Sequence, residues 1–503
     1  MPEQIDDTSN GYHRFDNSNN NQSDEEENNT ITSNKSENIN TTKMQFLTPE
    51  PKYSEVSWMS AAFSLTVGTF ILISGRFGDL LGYKKVYIFS YINAFVWCLL
   101  CGISSYSGSI EFFDVCRGMQ GLSLALATPN SLALIGHYFP DGKEKIFSFA
   151  LFGAVAPGGF YIGALWDSVF ALRSTWQWMF YISAIVSLII ALLGYLIIPK
   201  NIGTYYPTKK IEMFDPIGSI LGVSGLILIN FAFNQGPVVG WEKPYVYILL
   251  IIGILLMCLF AYSQTKVKYP LIPKLNTNII FTLLSIAAGW SSFGIWLFYL
   301  LRFSLDILKQ SPIVVAIQFT PTMLSGLVAS FATGIFINIV PTSLIILVAM
   351  LAFFVGNTLN AFKPVSQVYW IQRFISCIVM PFAMDTSFPA GTILLSRSLP
   401  RESQGVAGSL IATVVNYAIA IGLGIAGTVE YYTTKHGATE LQGIRNAMYT
   451  GMGLAGFAII VATIFNIFVF INWKIERQEN KNDNIGNIQV KDEVDVVNEI
   501  EDV

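Results

Sequence analysis

Apolar runs of membrane length alternate with short polar segments through most of the chain. Thirteen runs are long enough to cross roughly 30 Å of hydrocarbon at about 1.5 Å per helical residue. They cover residues 56–74, 86–104, 112–136, 147–170, 178–198, 216–234, 245–263, 278–301, 312–336, 342–361, 368–395, 408–430 and 448–472. The runs are continuous rather than alternating at every second residue, so they predict helices and not the strands of a membrane barrel. The expected fold class is an all-α polytopic membrane protein.

The composition supports a lipid environment. Of 503 residues, 52% are hydrophobic and 13% charged, and the mean hydropathy is +0.50; soluble proteins carry about 25% charged residues. The five cysteines (Cys98, Cys101, Cys116, Cys258 and Cys377) all lie in apolar runs, which favours packing over metal or redox chemistry. The histidines are scattered, so the sequence predicts no enzyme, no metal site and no nucleic-acid partner.

The two ends of the chain differ from the rest. Residues 1–55 are rich in Asn, Ser, Asp and Glu, and residues 473–503 are polar and acidic. Such segments bury too little apolar surface to fold, so both are predicted to be disordered tails. No signal-peptide hydrophobic region precedes the first run.

A charged, glycine-containing segment separates the first two runs: Gly75-Arg-Phe-Gly-Asp79-Leu-Leu-Gly82-Tyr-Lys84-Lys85. It resembles the G-x-x-x-D-x-x-G-x-[KR]-[KR] signature of the cytoplasmic loop after the second helix in major facilitator superfamily transporters. Gly75 and Gly82 would allow a tight helix-loop-helix turn. Asp79 would lie against a neighbouring helix N-terminus, and Arg76, Lys84 and Lys85 would keep the segment in the cytoplasm. Asp79 and its basic neighbours would hold the cytoplasmic side closed in one state, so residues 75–85 are called the gating loop.

Charge then orients the chain. With the gating loop inside, fifteen lysines and arginines fall in inner loops or tails and seven in outer loops, which agrees with the positive-inside rule. In the superfamily this loop follows the second helix, whereas here it follows the first run. The chain therefore resembles a transporter without its first helix, and the N-terminal tail would face outward. An incomplete gene model is favoured over a genuine thirteen-helix protein. If the chain is complete, its transport activity is in doubt, because the first helix lines the substrate path in the family.

A weak internal repeat supports two halves. Pro129 and Pro140 are eleven residues apart, as are Pro389 and Pro400, and repeated halves are expected of this fold. The predicted organisation places two bundles around two extra helices. It comprises the tail 1–55, an N-terminal bundle 56–198, linker helices 199–275, a C-terminal bundle 276–472 and the tail 473–503.

Ionisable residues inside spans are the first candidates for function, because their burial in hydrocarbon is costly. Arg117, in Arg117-Gly-Met-Gln-Gly121, resembles the family's R-x-x-Q-G signature, which is linked to proton coupling; an arginine snorkelling to a helix end is the alternative. Asp385 lies between Pro381 and Pro389, which can break the helix where it lines a cavity. Desolvation of this carboxylate suits reversible proton loading. A permanent ion pair with Arg373 is the alternative.

The span 147–170 contains Gly153-Ala-Val-Ala-Pro157-Gly-Gly159-Phe-Tyr-Ile-Gly163. This segment resembles the fifth-helix antiporter motif of exporters, although Ala156 stands where a glycine is usual. Small residues permit close packing and the proline permits a bend between the halves. Helix packing without any antiport role is the alternative.

Further segments resemble one branch of the superfamily. Trp176-Gln-Trp178-Met-Phe180 is similar to the W-R-W-x-F signature of fourteen-helix drug:proton antiporters, with Gln177 replacing arginine. Segments such as Gly289-Trp-Ser-Ser-Phe-Gly-Ile295 and Val414-Val-Asn-Tyr417 are similar to the fungal aminotriazole-resistance and boron-efflux branch. The resemblance implies proton-driven export at the plasma membrane, or less often the vacuole, without a cofactor. A monomer is expected.

Four further residues are candidates for lining a substrate cavity. Trp290 and Phe293 share a helix face, although lipid contact or packing is the usual role of such aromatic residues. Asn416 and Tyr417 are stronger candidates, because a buried amide needs hydrogen-bond partners.

The predicted function is alternating-access, proton-coupled efflux of small toxic solutes such as aminotriazole-like drugs or boric acid. Its partners would be the bilayer, protons and the solute. Two alternatives stay open: an importer of a nutrient or amino acid with the same fold, and a non-transporting membrane sensor or fragment.

Overall fold

The computed structural model describes residues 53–501, apart from 141, 201, 203–214, 269, 273–274, 338 and 399–403. The predicted tail up to residue 52 and part of the predicted linker lie outside the described residues. The α-helices are α1 (Tyr53–Leu81), α2 (Tyr83–Ile103), α3 (Ile110–Tyr138), α4 (Lys143–Arg173), α5 (Gln177–Ile197), α6 (Pro216–Val239), α7 (Pro244–Lys266), α8 (Thr277–Arg302), α9 (Pro312–Gln318), α10 (Thr320–Phe336), α11 (Thr342–Ala361), α12 (Gln372–Ser398), α13 (Gln404–Lys435) and α14 (Glu440–Glu501).

A helix, or a broken pair of helices, lies over every predicted span. Within the part of the chain that the structure describes, eleven segments, counting α9 and α10 as one, are long and apolar enough to cross a membrane. The other two long helices, α3 and α4, contain 29 and 31 residues and carry more charge. The all-helical fold class predicted from the hydrophobic pattern is therefore confirmed.

The helices α8, α9 and α10 depart from regular geometry. A π-helical turn, Phe303–Ile307, continues α8, and only Phe319 separates α9 from α10. Pro321 is the second residue of α10; it has no N–H to donate and breaks the regular hydrogen-bond pattern there. The hydrophobic run 312–336 is consequently one span made of two helices.

The helices form two packed groups. In the first group, α3 packs against α1 and α2, and α2 also packs against α5. In the second group, α8, α11, α12 and α14 surround a core that includes Ile286, Met350, Phe353 and Met380. Helix α7 packs against α6, and α6 also packs against α1 and α13. This is the arrangement expected for two bundles with two extra helices; the residue boundaries of the bundles stay predictions.

Two helices connect the groups. Helix α13 contacts α1, α3 and α6, and α4 contacts α9, α10 and α12. Near the start of α4, Ile146 and Phe149 are buried in the core of the second group. Further along α4, Val155, Ile162 and Trp166 are exposed. The groups therefore meet at the end of α4 that the charge distribution places inside, and the outer part of α4 is more open.

The last helix extends into the C-terminal segment 473–503, and the disorder of that tail stays a prediction. Helix α14 continues through Glu501 as one element, although residues 471–475 are already exposed. Side chains beyond residue 475 are not described.

Candidate transport site

Asp385 lies inside the second helix group on α12. Its exposed fraction is 4%, and its Oδ2 has no hydrogen-bond partner among the described residues. Pro381 and Pro389 lie one turn before and after it within the same helix. A buried carboxylate without a partner is costly when charged and far less so when protonated. The side chain is therefore suited to bind a proton or a cation.

The alternative ion pair between Asp385 and Arg373 is not formed. Arg373 lies at the start of α12, twelve residues or about 18 Å along the helix from Asp385. Its exposed fraction is only 2%, so it is buried rather than snorkelling. Asp385 thus stands without this cation.

Among the described glycines of the predicted antiporter motif, Gly153 is the one that approaches α12. A Cβ added to Gly153 would lie 3.1 Å from Pro389 Cγ and 3.7 Å from Ser330 Oγ. Glycine at this position lets α4 approach α12 one helical turn from Asp385. Gly153 therefore lies at a contact between the two groups, next to the candidate proton site.

The other glycines of that motif do not show the close packing expected of small residues. A Cβ added to Gly158, Gly159 or Gly163 would meet nothing within 4 Å among the described residues. The side chain of Pro157 lies outside the described part of the structure. Close approach is thus seen at Gly153, whose neighbour is α12, and not at Gly159 or Gly163, which lie in the open part of α4.

Trp290 packs against the turn of α12 that follows Asp385. Its Nε1 donates a hydrogen bond to Ser387 Oγ at 3.1 Å, and its ring contacts Phe293, Phe388 and Phe353 with centroids 5.3–6.3 Å apart. Trp290 is therefore a buried packing residue in this conformation. Phe293 is half-buried beside it.

Asn416 and Tyr417 have different surroundings. Asn416 Nδ2 donates to Ala412 O on its own helix at 2.8 Å. Tyr417 is buried, and its hydroxyl lies 3.2 Å from Thr69 Oγ1 of α1. Tyr417 also belongs to an apolar cluster with Leu226 of α6. It occupies the junction of α1, α6 and α13, and its role in a cavity stays a prediction.

Arg117 lies within the first helix group. Its Nη1 donates to Gln120 Oε1 at 2.7 Å, and its guanidinium lies 4.8 Å from the Phe63 ring centroid and 5.9 Å from that of Phe180. Asp167 of α4 is close enough to interact electrostatically with Arg117. The arginine therefore faces the interior of the group instead of snorkelling to the helix end.

The predicted gating loop is mostly helical. Helix α1 continues to Leu81, so Gly75, Arg76 and Asp79 lie in its last turns, and Gly82 with a φ of 95° is the only residue between the helices. Positive φ suits glycine and ends the helix. Asp79 Oδ1 accepts a hydrogen bond from the Tyr83 hydroxyl at 2.5 Å, and Asp79 Oδ2 lies 3.8 Å from Arg76 Nη1. The expected loop is thus a one-residue turn.

Lys84 joins this turn to α5. Its Nζ donates to Tyr195 O at 2.7 Å and to Ile198 O, which are carbonyl oxygens at the C-terminal end of α5. A cation there satisfies free carbonyls and interacts favourably with the helix dipole. Lys85 is exposed. Two adjacent lysines with the same predicted role therefore have different surroundings.

The comparisons with known proteins agree with this architecture. A model of the Major Facilitator Superfamily matches residues 39–423. The chain belongs to this superfamily. Its members are transporters, so the expectation that the chain is not an enzyme is confirmed.

Curated relatives place this major facilitator chain among fungal transporters. The low affinity ammonium transporter of Saccharomyces cerevisiae is 46% identical over 428 residues, covering 84% of this chain and 82% of the relative. The efflux pump terJ of Aspergillus terreus is 40% identical, covering 82% and 80%. The aminotriazole resistance protein of Saccharomyces cerevisiae is 37% identical, covering 84% and 78%. The predicted kinship with fungal efflux and drug-resistance transporters is confirmed; the boron branch stays a hypothesis.

A solved structure supports the major facilitator fold independently. The human organic anion transporter MFSD10 superposes with a TM-score of 0.59 at 14% identity, covering 81% of this chain and 83% of its own. At 14% identity, the similarity shows that the two proteins share a fold and nothing more.

Sequence reasoning missed Asp167 in this major facilitator chain. It is an acidic residue inside the predicted span 147–170, so the cost of burying a charge in hydrocarbon could have identified it. Its proximity to Arg117 depends on the packing of α4 against the first group, which no local pattern reveals.

We expect Lys84→Met to lower the melting temperature of the purified protein, because the carbonyl groups at the end of α5 lose their cation. The expected cost is about 1 kcal/mol. Thermal unfolding in detergent measures it, with Lys85→Met as the matched control. Equal melting temperatures for the two variants would contradict the capping role of Lys84.

Proposed function

We propose that this chain is a proton-driven exporter of small toxic solutes. The observation that carries the proposal is Asp385, a buried carboxylate on a helix with two internal prolines, whose Oδ2 has no hydrogen-bond partner among the described residues. Ionisable groups in such positions mark ion pathways in membrane transporters. Asp385 binds a proton from the outer side and releases it inside as the solute leaves.

The contact between α4 and α12 gives this proton site a mechanical connection. Gly153 approaches Pro389 closely, so a change in α12 around Asp385 alters the contact between the two groups. Alternating access requires the groups to rock against each other about a central site. Proton binding then acts by favouring one of two arrangements of the groups.

Arg117 and Asp167 are the second part of the proposed coupling system. Their electrostatic interaction crosses from α3 to α4, and α4 is also the helix that contacts α12. A change in the charge of either residue would therefore act on the helix that joins the two groups. Arg117 tunes the coupling and does not itself carry the proton.

Two relatives support the solute class that we propose. The aminotriazole resistance protein and the efflux pump terJ share 37–40% identity with the chain over most of its length. Small, neutral or weakly charged toxicants are the substrates we propose, with aminotriazole-like compounds first and boric acid second. The plasma membrane is the proposed location and the monomer the proposed functional unit.

Growth of yeast under chemical stress tests the proposal. We expect the full chain, expressed in a strain that lacks its aminotriazole resistance protein, to restore growth on aminotriazole or borate. Intracellular solute should fall, because export lowers accumulation. A chain that reaches the plasma membrane and raises accumulation would favour the importer; one that changes neither growth nor accumulation would favour the non-transporting alternative.

Movement of ammonium is the second candidate function. The relative with 46% identity is named a low affinity ammonium transporter, and an unpaired buried carboxylate such as Asp385 attracts a small cation. Uptake and release of labelled methylammonium in the same strain distinguish the candidates. Flux of methylammonium without protection against aminotriazole or borate would select the ammonium function.

A further inference from the structure

Arg373, at the start of α12, has an unsatisfied hydrogen-bonding edge. Its exposed fraction is 2%, and neither Nε nor Nη2 has a hydrogen-bond partner in the described part of the chain. These two nitrogens lie on the same edge of the guanidinium plane. That edge matches the two oxygens of a carboxylate, with which it forms paired, charge-assisted hydrogen bonds.

Lys363 places a second buried cation nearby. Its exposed fraction is also 2%, and its Nζ donates to Pro364 O at 3.3 Å and Gln367 O at 3.0 Å. An ammonium group has three donors, so one remains. Burial, together with the neighbouring Arg373 guanidinium, lowers the pKa of Lys363. The two positive charges are thus close enough to repel each other.

The carboxylates at this end of the helix bundle have other partners. Asp306, Glu430 and Glu440 all pair with Arg302, and Glu242 pairs with Lys435. Among the described residues no ion pair joins a carboxylate to Arg373 or Lys363. Two buried, mutually repelling cations without an anion are unfavourable, because an uncompensated buried charge costs several kcal/mol.

The two cations are within reach of the solution. They flank residues 364–371, of which all but Gln367 and Tyr369 are exposed. The charge distribution of the loops places this segment on the outer side of the membrane. A small solute could reach the cations through a local displacement of this short segment.

We propose that Arg373 and Lys363 form a binding site for a small carboxylate at the outer end of the second helix group. The carboxylate pairs both oxygens with Nε and Nη2 of Arg373, and Lys363 contributes a point charge. The site is separate from Asp385, which lies about 18 Å further along α12. Its existence does not depend on which solute the protein exports.

Thermal unfolding of the full chain in detergent tests the site, with sodium acetate as the probe and sodium chloride keeping the ionic strength constant. Acetate should raise the melting temperature of the wild type by about 2 °C or more at saturation, because a ligand that binds only the folded state stabilises it. Arg373→Lys keeps the charge but loses the planar edge. It should need about ten times more acetate for the same effect.

The matched control is Lys309→Gln, which removes an exposed cation from the same end of the molecule and should respond to acetate as the wild type does. Arg373→Met, which removes the unpaired charge, should melt at or above the wild-type temperature in chloride and gain nothing from acetate. The proposal fails if acetate does not stabilise the wild type, or if Arg373→Lys responds like the wild type. It also fails if Arg373→Met melts below the wild type in chloride, because protein groups would then already satisfy the guanidinium.

Discussion

Replacing Asp385 with asparagine should reduce solute-driven proton movement to the level of empty vesicles while the protein stays folded. Asparagine has nearly the same size but cannot take up or release a proton. Asp385 Oδ2 has no hydrogen-bond partner in the described part of the chain. Asparagine therefore removes a group whose charged form is costly to bury, and it breaks no described ion pair. The melting temperature should stay the same or rise.

The measurement uses proteoliposomes that contain the purified chain and a pH-sensitive dye. Addition of the exported solute should move protons in the wild type and not in Asp385→Asn. Asp306→Asn is the matched control, because it makes the same chemical change at a partly exposed ion pair with Arg302, where an exposed pair contributes at most about 1 kcal/mol. Normal proton movement in Asp385→Asn would exclude Asp385 as the proton site.

A methyl group at Gly78 should disrupt the junction between α1, α2 and α3. The added Cβ would lie 1.9 Å from Asn130 Oδ1 and 2.5 Å from Tyr83 Cδ1. Asn130 cannot move away freely, because its Nδ2 donates to Leu126 O at 2.7 Å and to Ser74 Oγ at 3.2 Å. We expect Gly78→Ala to cost about 1–3 kcal/mol, as overpacking of a tight site does, and to abolish transport.

Thermal unfolding and transport of Gly78→Ala check this expectation. Gly453→Ala on α14 is the control, because a Cβ there meets nothing within 4 Å and alanine favours the helix. Adding Asn130→Ala to Gly78→Ala should restore part of the lost stability, since one of the two clashes disappears. If Gly78→Ala has the same melting temperature as the wild type, the junction is looser than the structure indicates.

The hydrophobic pattern predicted the transmembrane helices because a bilayer constrains each span separately. Every backbone group in hydrocarbon must be satisfied within its own helix, so about 20 apolar residues suffice to identify a span. The local pattern was less informative where a helix extends beyond its apolar run. Gly75 and Asp79 were assigned to a loop, yet α1 continues to Leu81 and turns only at Gly82.

The residues of the candidate site also fall into two kinds: those that the sequence identified and those whose contacts only the structure revealed. Asp385 and Arg117 were identified from the sequence because charged residues are rare in apolar runs. The contact of Gly153 with Pro389 joins residues 236 positions apart. The surroundings of Lys84 and Lys85 differ because Lys84 faces the end of α5. The unsatisfied hydrogen-bonding edge of Arg373 was likewise revealed only by the structure around it.

By itself the sequence determined that this chain crosses a membrane repeatedly, which orientation its loops favour and which buried charges demand an explanation. It could do so because the cost of placing a polar group in lipid is a property of each segment alone. Only the tertiary structure decided which helices meet, which cations have partners and which helix connects the two groups. Those facts depend on contacts between residues far apart in the chain, and helix packing in lipid is set by shape and small residues more than by hydrophobicity.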